Sequence, residues 1–276
     1  MPRLLITDAN AEEQLQLQKS RNQHHQLYDW RGCVRRLSEF GCIPGVQPSN
    51  FRFQRIPRSE WKQRIAEGRG KWLGNLTRGV LPPHDQGATN YCWAHGSVRA
   101  VEALRVYECQ SPLILSAESV AVPVTGGRNR GGSPDEALER LMAFGCCEQS
   151  YWPLNDLNER HAKPGWVANA LEHAILRWLD VENFDDQMSL ALHRIPVAIG
   201  LNWWGHLVCQ LDPIDLDEEP TLDHVARPDG QFGIGFDNSW GDDYGDHGYA
   251  ILDEKHATAD LGAFAPISET FSARDD

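Results

Sequence analysis

The sequence predicts an α+β chain whose helices come first and whose strands come last. Two stretches carry that expectation. Residues 85 to 95 read Asp-Gln-Gly-Ala-Thr-Asn-Tyr-Cys-Trp-Ala-His and run into Ser97 to Cys109, an apolar-striped segment with the period of a buried helix. Residues 231 to 252 alternate as far as Asn238, pass through a glycine-rich turn and end in a second apolar run, which reads as strand, turn and strand. At 276 residues and 41% hydrophobic, the chain is long enough for one large or two packed domains with a real core.

The helix reading places Cys92 at a helix N-terminus. Unsatisfied backbone N–H groups and the positive end of the helix dipole favour an anion there, so a thiol that ordinarily titrates near pH ~8.5 is drawn toward the nucleophilic thiolate. Gln86, six residues earlier, can supply an amide donor to an oxyanion forming at an attacked carbonyl.

Gln86-Gly87, Cys92-Trp93-Ala94 and the later Asn238-Ser239-Trp240-Gly241…Gly248-Tyr249 resemble the two signature blocks of the papain-like cysteine peptidases. Their order and the 146 positions separating Cys92 from Asn238 are close to the family's. The match departs from the pattern at Thr89, where most members carry a disulfide-forming cysteine, at Asn90, where glycine is usual, and at His95, where phenylalanine is usual. What the resemblance implies is a Cys-His-Asn site in which Asn238 orients an imidazole and Trp240 shields their hydrogen bond from water.

Two histidines precede Asn238. His206 opens an alternating run, His-Leu-Val-Cys-Gln-Leu, that can pair with Phe232 to Asn238 as a hairpin, and it follows Pro196 to Leu201, which resembles the preceding strand of the family. His224 follows Asp223, a common family dipeptide, yet Pro228-Asp229-Gly230 leaves too little chain for a paired strand. His206 is therefore the expected catalytic histidine and His224 the alternative. His95 and His247 read as structural or peripheral.

Weaker collinear matches lie between the blocks. Leu115-Ser116-Ala117-Glu118 resembles the start of the family's next helix, with Ser116 and Ser119 as capping groups. Gly131-Gly132, followed by a helix over Glu136 to Phe144, resembles the loop whose glycines let substrate backbone approach, so both are expected substrate-binding residues beside Trp240.

Composition limits the other classes. No apolar run approaches the ~18 residues of a membrane span, and the N-terminus lacks the apolar region of a secretory signal. A formal charge of −13 with no basic stripe argues against nucleic-acid binding. Seven cysteines without framework spacing suit a reducing compartment, so a cytoplasmic protein with no required disulfide is expected, with virion association as an alternative setting. No metal-ligand spacing is present, and no metal or cofactor is expected. The acidic run Asp212 to Asp223 reads as a solvated loop.

The resemblance leads to a papain-like two-lobed fold: a helical lobe over about 85–180 with a central cysteine-bearing helix, against an antiparallel barrel-like β lobe over about 181–265. Residues 71–276 form the catalytic domain in this reading, and 1–70 an extension that lacks the family's usual inhibitory pattern. That extension is either a docking arm for the core or a protein partner, or a plain structural addition. The expected activity is peptide-bond hydrolysis of a peptide or protein substrate through an acyl-enzyme. The alternatives are an amidase or acyltransferase on the same site, and a non-catalytic scaffold in an interaction or virion-assembly role.

Overall fold

The computed structural model describes residues 3–22, 53–219 and 230–267. His224, Cys33 and Cys42 lie outside the described residues. In chain order the elements are β1 (Leu4–Ile6), α1 (Ala11–Asn22), α2 (Arg58–Glu67), α3 (Leu73–Arg78), α4 (Cys92–Tyr107), α5 (Glu118–Thr125), α6 (Pro134–Ala143) and α7 (Trp166–Leu171). There follow β2 (Arg177–Asp180), α8 (Phe184–Leu192), β3 (Val197–Leu201), β4 (His206–Asp215), β5 (Phe232–Asp237), β6 (Tyr249–Asp253) and β7 (Ala263–Ile267).

The strands make one seven-stranded sheet in the order β1-β6-β5-β4-β3-β7-β2. All neighbours are antiparallel except the edge pair β1 and β6, where Leu4, Leu5 and Ile6 lie parallel to Ala250, Ile251 and Leu252. The hairpin expected from the alternation of residues 206–211 and 232–238 is present, with Cys209 opposite Asp237 and Gln210 opposite Phe236. Leu201 pairs with His206, which fixes that histidine at the first position of β4.

One core cluster joins α4, α5 and α6 to the sheet through Val98, Val101, Leu138, Leu141, Trp152 and Leu207. Helix α4 can lie directly on β4 because position 96 is glycine: a Cβ there would run into the Leu207 side chain and the Val208 backbone. That close approach puts the N-terminal turn of α4 beside the start of β4. A second cluster covers the rest of the sheet, where Trp61 of α2 meets Phe184 and Phe232 edge-on at 6.1 and 5.2 Å and donates its indole N–H to the Ile56 carbonyl. Residues from positions 4–6 and 56–65 are thus built into the core.

The first part of the acidic run departs from the solvated-loop expectation, whereas Asp217 and Glu218 form an exposed turn as expected. Asp212 and Asp215 belong to β4 and are buried, at 4% exposure each. Strand pairing with β5 carries them inward, past a register shift between Gln210 and Asp212. Asp212 accepts hydrogen bonds from the Gly74 N–H and the Tyr249 hydroxyl, and Lys62 stands 3.5 Å from Asp215. A cavity of about 640 Å³ lined by Trp72, Asp212, Asp215 and Glu218 opens at this end of β4, the end away from His206. Among the described residues no helix is long and apolar enough to cross a membrane.

Candidate active site

Helix α4 begins at Cys92 itself, as the apolar stripe and the Cys-Trp step predict. Tyr91 precedes it with no side-chain cap, and its carbonyl accepts from the Ala94 and His95 N–H groups, which leaves the Cys92 and Trp93 N–H groups to face an anion. The backbone N–H groups of Leu207, Trp93 and Cys92 itself each favour the anionic form of the Cys92 sulfur, and Leu207 directly follows His206. The His206 Nε2–H donates to Asn238 Oδ1 at 2.7 Å, and the Ser239 N–H donates to the same oxygen at 2.8 Å. With Nε2 committed as donor, Nδ1 carries the lone pair, and it has no hydrogen-bond partner. Cys92 and His206 share no hydrogen bond in this state.

Gln86 is held at three points. Its N–H donates to the Ser239 carbonyl, its Oε1 accepts from the Ser239 hydroxyl at 2.6 Å, and its Nε2 donates to the Thr89 carbonyl at 2.7 Å. One Nε2 hydrogen remains for a ligand, and the amide cannot flip because Ser239 and Thr89 fix its two ends. The structure therefore brings Gln86 together with Asn238 through Ser239. Gly132 packs flat on the Trp93 indole, where any Cβ would collide, and the Gly131 carbonyl accepts from Arg130 Nη1 at 2.7 Å. Ser133 and Glu136 form a reciprocal capping box that starts α6 with Pro134 in its first turn, two residues earlier than the pattern suggests.

Aromatic rings enclose the histidine. Trp204 and Trp240 lie 4.8 and 5.0 Å from the His206 ring, and Tyr244 packs edge-on against Trp240. Over them lies α1, whose residues 14, 18 and 21 share one face by helical spacing. The Gln14 carbonyl accepts from the Trp204 indole, Gln14 Oε1 accepts from the Tyr244 hydroxyl, and Arg21 donates to the Trp240 carbonyl with its guanidinium 4.9 Å from the Trp240 ring. Gln18, between them, is buried with neither amide atom hydrogen bonded. Nothing in the local sequence of α1 marked it as a cover, because its polar stripe reads as a solvated face.

Under this cover Cys92 and His206 have no exposed surface. Burial pushes the Cys92 thiol up to about 12, with the surrounding N–H groups pulling the other way. Burial also pushes the His206 imidazole down to about 4; the Asn238 hydrogen bond opposes the shift and the Arg21 charge adds to it. Burial thus favours a neutral thiol and a neutral imidazole here, against the pull toward thiolate expected at a helix N-terminus, because neither charge has water to stabilise it.

No cysteine stands at Thr89 to tie its loop down. The Asn129 side chain does that work: its Oδ1 accepts from the Asn90 N–H at 2.7 Å and its Nδ2 donates to the Ala88 carbonyl at 3.0 Å. Among the described residues Cys92, Cys109, Cys146, Cys147 and Cys209 are free thiols. Replacing Asn129 by alanine strands the Asn90 N–H, and a stability loss of about 1–3 kcal/mol is expected in chemical denaturation. A loss under about 0.5 kcal/mol would mean that the loop is held by its packing alone.

No protein-family model matches the sequence, and no curated protein matches it. Solved structures do match. Xylellain, a cysteine protease from Xylella fastidiosa, is similar with a TM-score of 0.56 at 16% identity, over 83% of this chain and 96% of that one. Digestive procathepsin L 3 of the Tenebrio molitor larval midgut gives 0.57 at 14% identity, over 95% and 94%. The proform of Amb a 11, a ragweed pollen cysteine protease, gives 0.53 at 16% identity, over 69% and 63%. At such identities the likeness is one of fold: the chain has the two-lobed α+β fold of papain-like cysteine proteases.

Proposed function

We propose that this protein is a cysteine peptidase whose nucleophile is Cys92. The observation that carries the reading is the His206 ring, locked by Asn238 through Nε2 and presenting a bare Nδ1 at the strand position next to the N–H that favours the Cys92 thiolate. In the reaction, His206 Nδ1 takes the thiol proton and the thiolate attacks a peptide carbonyl carbon. The Gln86 Nε2–H and the Cys92 N–H hold the oxyanion. The tetrahedral species collapses by breaking the C–N bond, and the His206 imidazolium gives its proton to the departing amine. Water, deprotonated by the same Nδ1, attacks the thioester, releases the acid and restores the thiol.

The remaining assignments follow from this reading. Substrate main chain would lie along Gly131 and Gly132, and Trp240 would keep water from the His206–Asn238 bond. Free thiols at five described positions suit a reducing compartment. Cys92 is fully buried and α1 lies over the rings that enclose His206, so in this reading α1 moves for substrate to enter.

The test is incubation of the full chain with a mixed peptide library, with cleavage read by mass spectrometry beside Cys92→Ala. A Gln14→Ala/Arg21→Ala chain, in which the α1 contacts are weakened, is run in parallel. Products that depend on Cys92 and increase in the double variant are expected. Products unchanged by Cys92→Ala, or none in either chain, would overturn the peptidase reading.

A further inference from the structure

Beneath the site lies a chain of buried polar groups that the mechanism does not use. His84 Nδ1 stands 3.1 Å from His95 Nδ1, with the two rings perpendicular and their centroids 5.3 Å apart. His84 Nε2 meets both oxygens of Glu102 at 3.1 and 3.0 Å. Glu102 also accepts from Arg99 Nη1 at 3.0 Å and from the Leu115 N–H at 2.7 Å, and Arg99 Nε donates to Asp237 Oδ2 at 2.7 Å. His95, Arg99 and Glu102 share one face of α4 at i, i+4 and i+7, and all are at most 3% exposed.

The bonding leaves little freedom. Facing a carboxylate, His84 Nε2 must carry a hydrogen. Between the two Nδ1 atoms one must donate and the other accept. Burial drives the His95 pKa well below its ordinary value, with the nearby His84 and His206 acting in the same direction, so His95 is neutral and holds a single ring hydrogen. Its Nε2 lies 3.7 Å from Glu118 Oε1, beyond hydrogen-bond range, and has no partner.

What the chain of groups connects is more telling than its chemistry. His84 is two residues before Gln86, and its carbonyl also accepts the Gly241 N–H. His95 is one helical turn after Cys92. Asp237 immediately precedes Asn238 at the end of β5. Three of the four proposed site residues are therefore carried on segments that one buried network ties together, and the His84–His95 contact is its direct link between the Gln86 loop and the Cys92 helix.

We propose that His84 and His95 are positioning residues for acyl transfer, holding the Gln86 amide at oxyanion distance from the Cys92 sulfur. The proposal rests on the acyl-transfer reading given above. It goes further by assigning work to two histidines that touch neither nucleophile nor substrate. Small displacements of such donors are costly, since removal of one oxyanion donor lowers a rate by ~10² to 10³.

Two reactions of the same thiol separate this role from a general loss of structure. Alkylation by iodoacetamide displaces iodide at a tetrahedral carbon and forms no oxyanion, whereas acylation by p-nitrophenyl acetate passes through one. Both rates are measured at Cys92 by peptide mass spectrometry in the full-length wild type, His84→Ala, His84→Gln and His95→Phe. Acylation about tenfold or more slower in His84→Ala and His95→Phe is expected, with alkylation within about twofold of wild type. His84→Gln, which keeps a donor toward Glu102, should recover part of the loss. Equal falls in both rates, or no change in either, would overturn the positioning role while leaving the acyl-transfer reading intact. In the Gln14→Ala/Arg21→Ala chain, where α1 is loosened, a Cys92 acylated no faster than Cys109 would overturn that reading and the positioning role with it.

Discussion

His206→Ala is expected to lower turnover by ~10² to 10⁴ with the fold retained, because it removes both the base that takes the thiol proton and the acid that protonates the leaving amine. The same variant changes the response to acid. In the folded chain the His206 pKa is depressed to about 4, whereas in the unfolded chain it returns to its ordinary ~6.5. Below ~6.5 the unfolded state therefore binds a proton that the folded state refuses, and stability falls as pH drops toward about 4, where the loss levels off. A shift of this size corresponds to about 3 kcal/mol across that window. Denaturant titrations at pH 7 and pH 4.5 should show a loss in wild type that is smaller by about 2–3 kcal/mol in His206→Ala, the remainder belonging to buried groups such as His95, whose pKa is also lowered. Equal acid sensitivity would place its origin in other groups.

Arg99→Met should be the most destabilising of the single changes considered. Arg99 is 3% exposed and its guanidinium lies between the Asp237 and Glu102 carboxylates, so its removal leaves two buried acids with reduced compensation. Breaking a buried pair from one side costs about 3–5 kcal/mol, which for a chain of this size is a fall in Tm of roughly 5–9 °C. Arg58 supplies the contrast. It binds Asp185 and Glu254 at the surface with half of its side chain in solvent, and Arg58→Met should cost about 1 kcal/mol or less. Comparable losses in the two variants, read by thermal melting, would show that burial does not set the strength of the Arg99 cluster.

The parts of the site that were legible in sequence are those written in local pattern. Cys92 opens α4 because an apolar stripe starts there, and His206 opens β4 because alternation begins at that residue. The resemblance of Gln-Gly, Cys-Trp and Asn-Ser-Trp-Gly to the family's two blocks pointed to Gln86 and Asn238. Contacts between polar side chains from distant segments were not legible. His84 and His95 lie only 11 positions apart, yet their meeting depends on how the loop folds back on α4, and a lone histidine beside a motif gives no sign of that. Asn129 reaches 39 positions to Asn90, and Asp212 is drawn inward by its strand although the sequence around it is acidic enough to read as loop. The helical spacing of His95, Arg99 and Glu102 was the available signal for the buried network. For Gln14, Gln18 and Arg21 there was none, since a polar helix face ordinarily meets water.

The central claim is that the Cys92–His206 pair is a poised nucleophile held closed by α1. It is tested most directly by competitive alkylation with iodoacetamide near pH ~6, where ordinary thiols are almost wholly protonated. Wild type is compared with Gln14→Ala/Arg21→Ala, and the exposed Cys109 serves as the internal reference. Two hydrogen bonds and a cation–π contact are weakened in the double variant, about 2 kcal/mol together, so the uncovered state should become roughly thirtyfold more populated. In wild type Cys92 should label slowly. In the loosened chain it should label faster than Cys109, and adding His206→Ala should abolish that advantage. A Cys92 that labels no faster than Cys109 once α1 is loosened, or that labels equally well without His206, would contradict the claim.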